Sequence, residues 1–94
     1  MAGRGIVDMA YKVKVKRSAR KFFKDQHIPL HVRLRVADAV EEVGVNPRVG
    51  DKHLKGEYNC FWRRRVGDYR IIYRVSDAEK LVNVVEICYR RKCY

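Results

Sequence analysis

The stretch Asn59–Arg74 most constrains how this chain can fold, because it has the pattern of two β-strands joined by Gly67-Asp68. A glycine followed by an aspartate adopts the positive-φ turn that matches the twist of paired strands. A loop of two residues then fixes the register of the hairpin. That register pairs Val66 with Tyr69, Arg65 with Arg70, Trp62 with Tyr73, and Phe61 with Arg74.

The two faces of this hairpin differ in chemistry. Side chains alternate along a strand, so Arg63, Arg65 and Arg70 share one face. Like charges placed directly opposite each other destabilise a strand pair, so this face indicates a missing polyanion. The other face is predicted to be core, with Arg64 snorkelling outward from its end. The predicted core residues of the hairpin are Trp62, Ile71, Tyr73 and Val75.

The net charge of +11, from 22 Lys+Arg against 11 Asp+Glu, exceeds what solubility requires. Nucleic acid is the first expected partner, an acidic protein the second and an anionic membrane surface the third. The 94 residues suffice for one core, and we expect a flexible extension over residues 1–9 and one domain over 10–94. No apolar run can span a bilayer and no signal-peptide pattern is present, which predicts a cytoplasmic protein.

The three cysteines, Cys60, Cys88 and Cys93, show no CxxC spacing. Their odd number predicts free thiols in a reducing cytoplasm, packed as small apolar side chains, with a Cys60–Cys88 cross-strand bond as the alternative. The histidines show no ligand spacing with the cysteines, so we expect neither a metal site nor a cofactor.

Before and after the hairpin, the hydrophobic pattern predicts one strand, two helices and a last strand. Tyr11–Lys16 alternates as a half-buried strand, and Ser18 is expected to cap a helix that runs to Gln26. Pro29–Val43 is predicted to form the second helix, which Gly44 ends. Leu81–Tyr89 is a β-branched strand. The order β-α-α-β-β-β predicts an α+β domain with a three-stranded antiparallel meander, and with both helices packed on one side of the sheet.

The second helix carries one apolar stripe at helical spacing. Leu30 and Leu34 fall outside it, so they contact the first helix, which we favour, or form an apolar strip for a partner. The stripe consists of Val32, Val36, Ala39, Val40 and Val43.

Several motifs in this order resemble the RelE/ParE toxin superfamily, and more closely its RelE-type messenger-RNA interferases. The resemblance covers the chain from about Ala10 to the end. The motifs are Asn46-Pro-Arg48, Lys52-His-Leu-Lys-Gly56, the block from Trp62 to Tyr73 that contains Val-Gly-Asp-Tyr-Arg-Ile-Ile-Tyr, and the ending Tyr89-Arg-Arg-Lys-Cys-Tyr94.

The resemblance implies a toxin that cleaves messenger RNA in the ribosomal decoding site and that a cognate acidic antitoxin neutralises in a hetero-oligomer. The reaction is attack of a ribose 2′-hydroxyl on the adjacent phosphate, without a metal. The implied catalytic residues are Arg63, Arg70, Arg90 and Tyr94. The implied RNA- or ribosome-binding residues are Lys52, Lys55, Arg65 and Arg91.

Two positions depart from the family pattern. Tyr89 stands where many relatives have histidine, and Phe61 stands where some have lysine. Either Lys52 or Lys55 then completes the catalytic set, or the enzyme is slow or inactive. Two further hypotheses stay open, namely a gyrase-directed toxin of the ParE type and a non-catalytic basic RNA-binding protein.

Overall fold

The computed structural model describes residues 10–56, 60–90 and 92. Within them the chain forms a mixed sheet and two helices. The elements are β1 (Lys12–Val15), α1 (Arg17–Lys24), α2 (Leu30–Val45), β2 (Lys52–His53), β3 (Trp62–Val66), β4 (Tyr69–Ser76) and β5 (Leu81–Tyr89). The α+β class, the two helices and the antiparallel meander β3-β4-β5 confirm the prediction.

The sheet has five strands in the order β1-β5-β4-β3-β2. The hairpin register is confirmed, with Trp62 opposite Tyr73 and Arg65 opposite Arg70. Phe61 lies before β3, and the Arg74 guanidinium carbon lies 6.0 Å from its ring centroid. Two features were not predicted, the parallel pairing of β1 with β5 and the short strand β2 between α2 and β3.

Both helices cover one face of the sheet and bury a single apolar cluster there. The predicted stripe of α2 is confirmed, with Val36 and Val43 fully buried and Val32 at the margin. Leu30 and Leu34 are instead 60% and 56% exposed, so the expectation that α1 covers them is wrong. The core residues are Ala19, Phe22, Val36, Ala39, Val40, Val43, Ile71, Tyr73, Val82, Val84 and Ile87.

Gly44 does not end α2, because the helix continues to Val45 and Asn46 caps it. Its missing side chain serves a close contact with β1. A Cβ atom there would lie 2.6 Å from Val13 Cγ2 and 3.4 Å from the Tyr11 carbonyl oxygen. The Tyr11 amide also donates to the Gly44 carbonyl at 2.8 Å. Glycine therefore lets the last turn of α2 rest directly on β1.

Ser18 does not cap α1. Lys16 occupies the N-cap position and makes no side-chain capping bond. The Ser18 hydroxyl donates instead to the Val85 carbonyl of β5 at 2.6 Å. The Ser18 hydroxyl, which the sequence predicted to cap α1, is thus hydrogen-bonded to a strand that is distant in sequence.

Arg64 does not snorkel into solvent, because a buried carboxylate holds it on the helix side of the sheet. Its Nε donates to Asp51 Oδ1 at 2.8 Å, and the two side chains are only 14% and 4% exposed. The Tyr73 hydroxyl donates to the other Asp51 oxygen and accepts the Arg48 amide at 2.8 Å. Burial, followed by the hydrogen bond to Asp51, raises the pKa of Tyr73 well above its ordinary value. This cluster fixes the loop between α2 and β2.

A second, exposed cluster ties the start of β1 to the turn after β4. Arg48 donates through both terminal nitrogens to Asp77, at 2.9 and 3.3 Å, and Tyr11 donates to the same carboxylate at 2.5 Å. The hydrogen bonds from Arg48 and then from Tyr11 lower the pKa of Asp77.

Cys88 is disulfide-bonded, whereas Cys60 is an exposed free thiol. The expectation of free thiols is therefore wrong for Cys88, and the Cys60–Cys88 alternative is wrong as well. Cys88 lies opposite Arg70 beside the hairpin turn, while Cys60 precedes β3 at the far end of the same hairpin.

None of the helices in the described residues is long and apolar enough to cross a membrane. The predicted flexible extension over residues 1–9 lies outside the described residues.

A cationic sheet face as candidate active site

The sheet face opposite the helices carries the arginines that the hairpin pattern predicted. We call Lys52, Arg63, Arg65 and Arg70 the cationic face. Strand pairing places its residues in two adjacent rows across the sheet. One row is Arg65, Arg70 and Cys88, and the next is Lys52, Arg63, Ile72 and Glu86.

Arg70 is the most unusual member of this face, because it is charged and yet only 8% exposed. Its Nε and Nη1 atoms are buried and find no hydrogen-bond partner among the described residues. Removing a charge from water without giving it a partner reduces the free energy of unfolding by several kcal/mol, roughly. These two nitrogens can therefore donate hydrogen bonds to an anion.

A cleft of about 370 Å³ opens at the end of the hairpin, lined by Arg65, Gly67, Asp68, Arg70 and Arg90. The Arg90 amide donates to the Asp68 carbonyl at 2.7 Å, and its Nε lies 3.8 Å from the Asp68 carboxylate. Arg90 also has a φ of 53°, which is uncommon for a residue other than glycine. The hairpin turn thus holds the end of β5 so that three arginines converge on one cleft.

The structure brings most of the predicted site residues together. Lys52 lies opposite Arg63 at the sheet edge, and Arg65 lies opposite Arg70. Lys55 is exposed after β2, outside both rows and the cleft lining. The predictions for Arg91 and Tyr94 lie outside the described residues.

Tyr89, which stands where many relatives have histidine, lies against one of these arginines, because the Arg90 guanidinium carbon is 5.0 Å from its ring centroid. It pairs with Tyr69 on the helix side of the sheet, with ring centroids 5.3 Å apart. Tyr69 in turn contacts Phe22 of α1, at 5.2 Å between centroids. Tyr89 therefore belongs to an aromatic cluster that supports the end of β5, and its backbone leads directly into Arg90.

Glu86 is a residue of this face that sequence reasoning missed. Strict alternation places it with Val82 and Val84 in the core, but the pairing shifts register between Ile72 and Tyr73. Ile72 pairs with Glu86 and Tyr73 with Val84, which leaves Val85 as an extra residue. The doubled valine followed by a charge is the sequence signal that could have revealed this β-bulge.

This arrangement can bind phosphate and stabilise added negative charge. Guanidinium groups form strong, directional hydrogen bonds to phosphate oxygens, and a rigid hairpin fixes their positions. Within the described part of the chain, no group of three or more His, Cys, Asp and Glu side chains could hold a metal ion.

Comparison with known proteins identifies the family of this chain. A family model described as the ParE toxin of the type II toxin–antitoxin system parDE matches residues 13–94. The chain belongs to the RelE/ParE family of type II toxins. The family and the fold that the sequence motifs indicated are thereby confirmed.

This RelE/ParE chain is similar to toxins from archaea and shares its fold with a bacterial toxin. Toxin RelE3 of Methanocaldococcus jannaschii is 38% identical over 64 residues, which is 62% of this chain and 72% of that protein. The RelB–RelE complex of Methanococcus jannaschii matches with a TM-score of 0.63 and 27% identity, over 85% of this chain and 93% of that one. The RelBE2 complex of Mycobacterium tuberculosis matches in fold, with a TM-score of 0.76 and 24% identity, over 86% and 99% of the two chains.

Proposed function

We propose that this toxin is a metal-independent endoribonuclease that cleaves messenger RNA on the ribosome. The observation that carries the proposal is the buried Arg70 guanidinium, which has no partner among the described residues and lines a cleft with Arg65 and Arg90. An RNA phosphate would supply the missing negative charge. The similarity to Toxin RelE3 supports a toxin of the RelE type, and the resemblance of the sequence motifs to RelE-type messenger-RNA interferases supports RNA as the target.

The proposed reaction is attack of a ribose 2′-hydroxyl on the adjacent phosphate. Arg63, Arg70 and Arg90 would bind the phosphate oxygens and stabilise the charge that accumulates in the transition state. Lys52, Lys55, Arg65 and Arg91 would hold the RNA or ribosome by charge. Tyr94 would act at the ribose, as the family resemblance implies.

The ribosome would contribute orientation, because this small face offers charge but little other machinery. Purified protein should therefore cut a defined message on programmed ribosomes, leaving a 2′,3′-cyclic phosphate and a 5′-hydroxyl. Mapping of 5′ ends would locate the cuts within the decoding site. Equal cleavage of naked RNA would contradict the dependence on the ribosome.

One observation favours a second candidate, since the matching family model carries the name of ParE. A toxin of that type would inhibit gyrase rather than cut RNA. A supercoiling assay with purified gyrase separates the two functions. Arrest of supercoiling without message cleavage would establish the second and refute the first.

We further propose that an acidic antitoxin binds this toxin in a hetero-oligomer in the cytoplasm. The matched RelBE2 and RelB–RelE structures are toxin–antitoxin complexes. In this chain the +11 charge provides attraction, and Leu30 and Leu34 provide an exposed apolar strip on α2.

Co-expression with the small acidic reading frame beside its gene should relieve toxicity and yield a stable complex. The double change Leu30→Asp and Leu34→Asp should weaken that complex. Val49→Asp, at another exposed apolar residue, is the matched control and should not. A toxin that the acidic protein neither binds nor neutralises would contradict the proposal.

A further inference from the structure

Glu86 stands out on the cationic face because it is the one carboxylate among the described strand residues there. It is half-buried and forms no ion pair or hydrogen bond with any described residue. A surface carboxylate near several arginines would ordinarily be expected to pair with one of them. Glu86 and Arg70 thus have opposite charges on one face, and neither forms an ion pair with a described residue.

The bulge at Val85 is what turns Glu86 toward Arg70. Without the extra residue, Glu86 would share the core-facing side of Val82 and Val84. The Ser18 hydroxyl donates to the Val85 carbonyl at 2.6 Å, which attaches α1 to the bulged residue. Bulges of this kind commonly redirect a side chain next to an active site.

The register places Glu86 diagonally from Arg70, because Arg70 pairs with Cys88 and Ile72 pairs with Glu86. Diagonal neighbours on one face of an antiparallel pair lie about 7–8 Å apart at the backbone. That separation leaves room for one ribose-phosphate unit between the two side chains. The phosphate would contact Arg70 while the preceding ribose hydroxyl reaches Glu86.

We propose that Glu86 is a further catalytic residue, the base that accepts the 2′-hydroxyl proton. This assignment rests on the proposed ribonuclease function. The O–H bond of the 2′-hydroxyl breaks as its proton moves to the Glu86 carboxylate and its oxygen bonds to phosphorus. The bond from phosphorus to the 5′-oxygen then breaks, and that oxygen takes a proton from solvent water. Glu86 returns its proton to solvent, so that every atom and electron pair is accounted for.

Asp68 is a second carboxylate to consider, because it lines the cleft beside Arg70 and Arg90. Its carboxylate lies 3.8 Å from Arg90 and its carbonyl accepts the Arg90 amide. These contacts assign it to positioning Arg90 rather than to proton transfer. Asp68→Asn therefore tests the rival assignment directly.

The test is single-turnover cleavage of messenger RNA on saturating programmed ribosomes. Glu86→Gln removes the proton acceptor and a negative charge while keeping the side-chain size. It should slow cleavage by about 10²–10⁴-fold, the range for a lost general base, while ribosome binding stays equal or becomes tighter. Glu86→Asp should restore part of the rate. Glu41→Gln, an equal charge change at an exposed position on α2, should leave both quantities at wild-type values.

The pH dependence gives an independent readout. A carboxylate base loses activity as it is protonated, so the wild-type rate should fall toward acid pH and Glu86→Gln should lack that fall. Tyr94→Phe should retain it. Cleavage by Glu86→Gln at the wild-type rate, or a rate loss only in Asp68→Asn, would overturn this assignment without touching the proposed function. A wild-type protein that never cuts ribosome-bound RNA would overturn both.

Discussion

Replacing Arg70 by methionine should separate the stability of this toxin from its activity. Arg70 is 8% exposed and has two buried nitrogens without a partner in the described chain, so the folded state bears the cost of removing a charge from water. Replacing even a buried ion pair by apolar side chains is often neutral or stabilising, by about 1–4 kcal/mol, and for Arg70 no ion pair with a described residue is lost. After allowing for imperfect packing, we expect a gain of roughly 1–3 kcal/mol.

For a domain of this size, a gain of about 1–3 kcal/mol corresponds to a rise in Tm of roughly 5–20 °C. Thermal and urea unfolding of the purified toxin measure this directly. The same variant should lose cleavage on ribosomes by about a hundredfold or more, since a fixed donor to the transition-state phosphate contributes ~3 kcal/mol. Arg20→Met, at an exposed position on α1, is the matched control for the change in charge.

Arg64→Met provides the opposite case on the other face of the same hairpin. Its guanidinium is paired with Asp51, whose carboxylate is 4% exposed and would be left without its cation. Breaking such a buried pair should cost about 3–5 kcal/mol. If Arg70→Met also destabilises the toxin, then Arg70 is a structural residue. If the variant cleaves at the wild-type rate, then Arg70 does not stabilise the transition state. Either result refutes the reasoning.

Three further outcomes follow from the packing. Gly44→Ala should cost about 1–2 kcal/mol in urea unfolding, although alanine favours helices, because its Cβ would meet Val13, and Val13→Ala should relieve the loss. Tyr73→Phe should cost about 1–3 kcal/mol by removing a donor from buried Asp51, and an unchanged Tm would contradict this. The pKa of Asp77 is lowered in the folded state, so the ionised carboxylate stabilises the fold at pH values above the ordinary carboxyl range. That stabilisation is lost as the pH falls and Asp77 is protonated. Asp77→Asn should therefore make the free energy of unfolding less dependent on pH in the acid range.

The sequence by itself determined the hairpin and the helix stripe, since both depend on local periodicity. A two-residue Gly67-Asp68 loop leaves one register, so Arg65 and Arg70 had to face each other. The spacing of Val36 and Val43 likewise fixed the buried side of α2. These features need no knowledge of distant parts of the chain.

Only the tertiary structure decided which distant residues contact the hairpin and the second helix. Alternation put Arg64 on the core side, but only the folded loop supplied the buried carboxylate of Asp51. Helix propensity marked Gly44 as a stop, yet its contact with β1 made it an interior residue. In both cases the contacting residue lies on another element of the fold. The tertiary contact then outweighs the conformational preference of the local sequence.

The same distinction runs through the candidate site. The sequence placed three arginines on one face, but it gave no sign that two nitrogens of Arg70 would be buried without a hydrogen-bond partner among the described residues. Strict alternation along the last strand would also place Glu86 with Val82 and Val84 in the core, because alternation assumes a regular strand. The bulge at Val85, which Ser18 contacts from α1, reversed the side chains that follow. One extra residue in a strand exchanges its two faces, and only the pairing of strands shows where it lies.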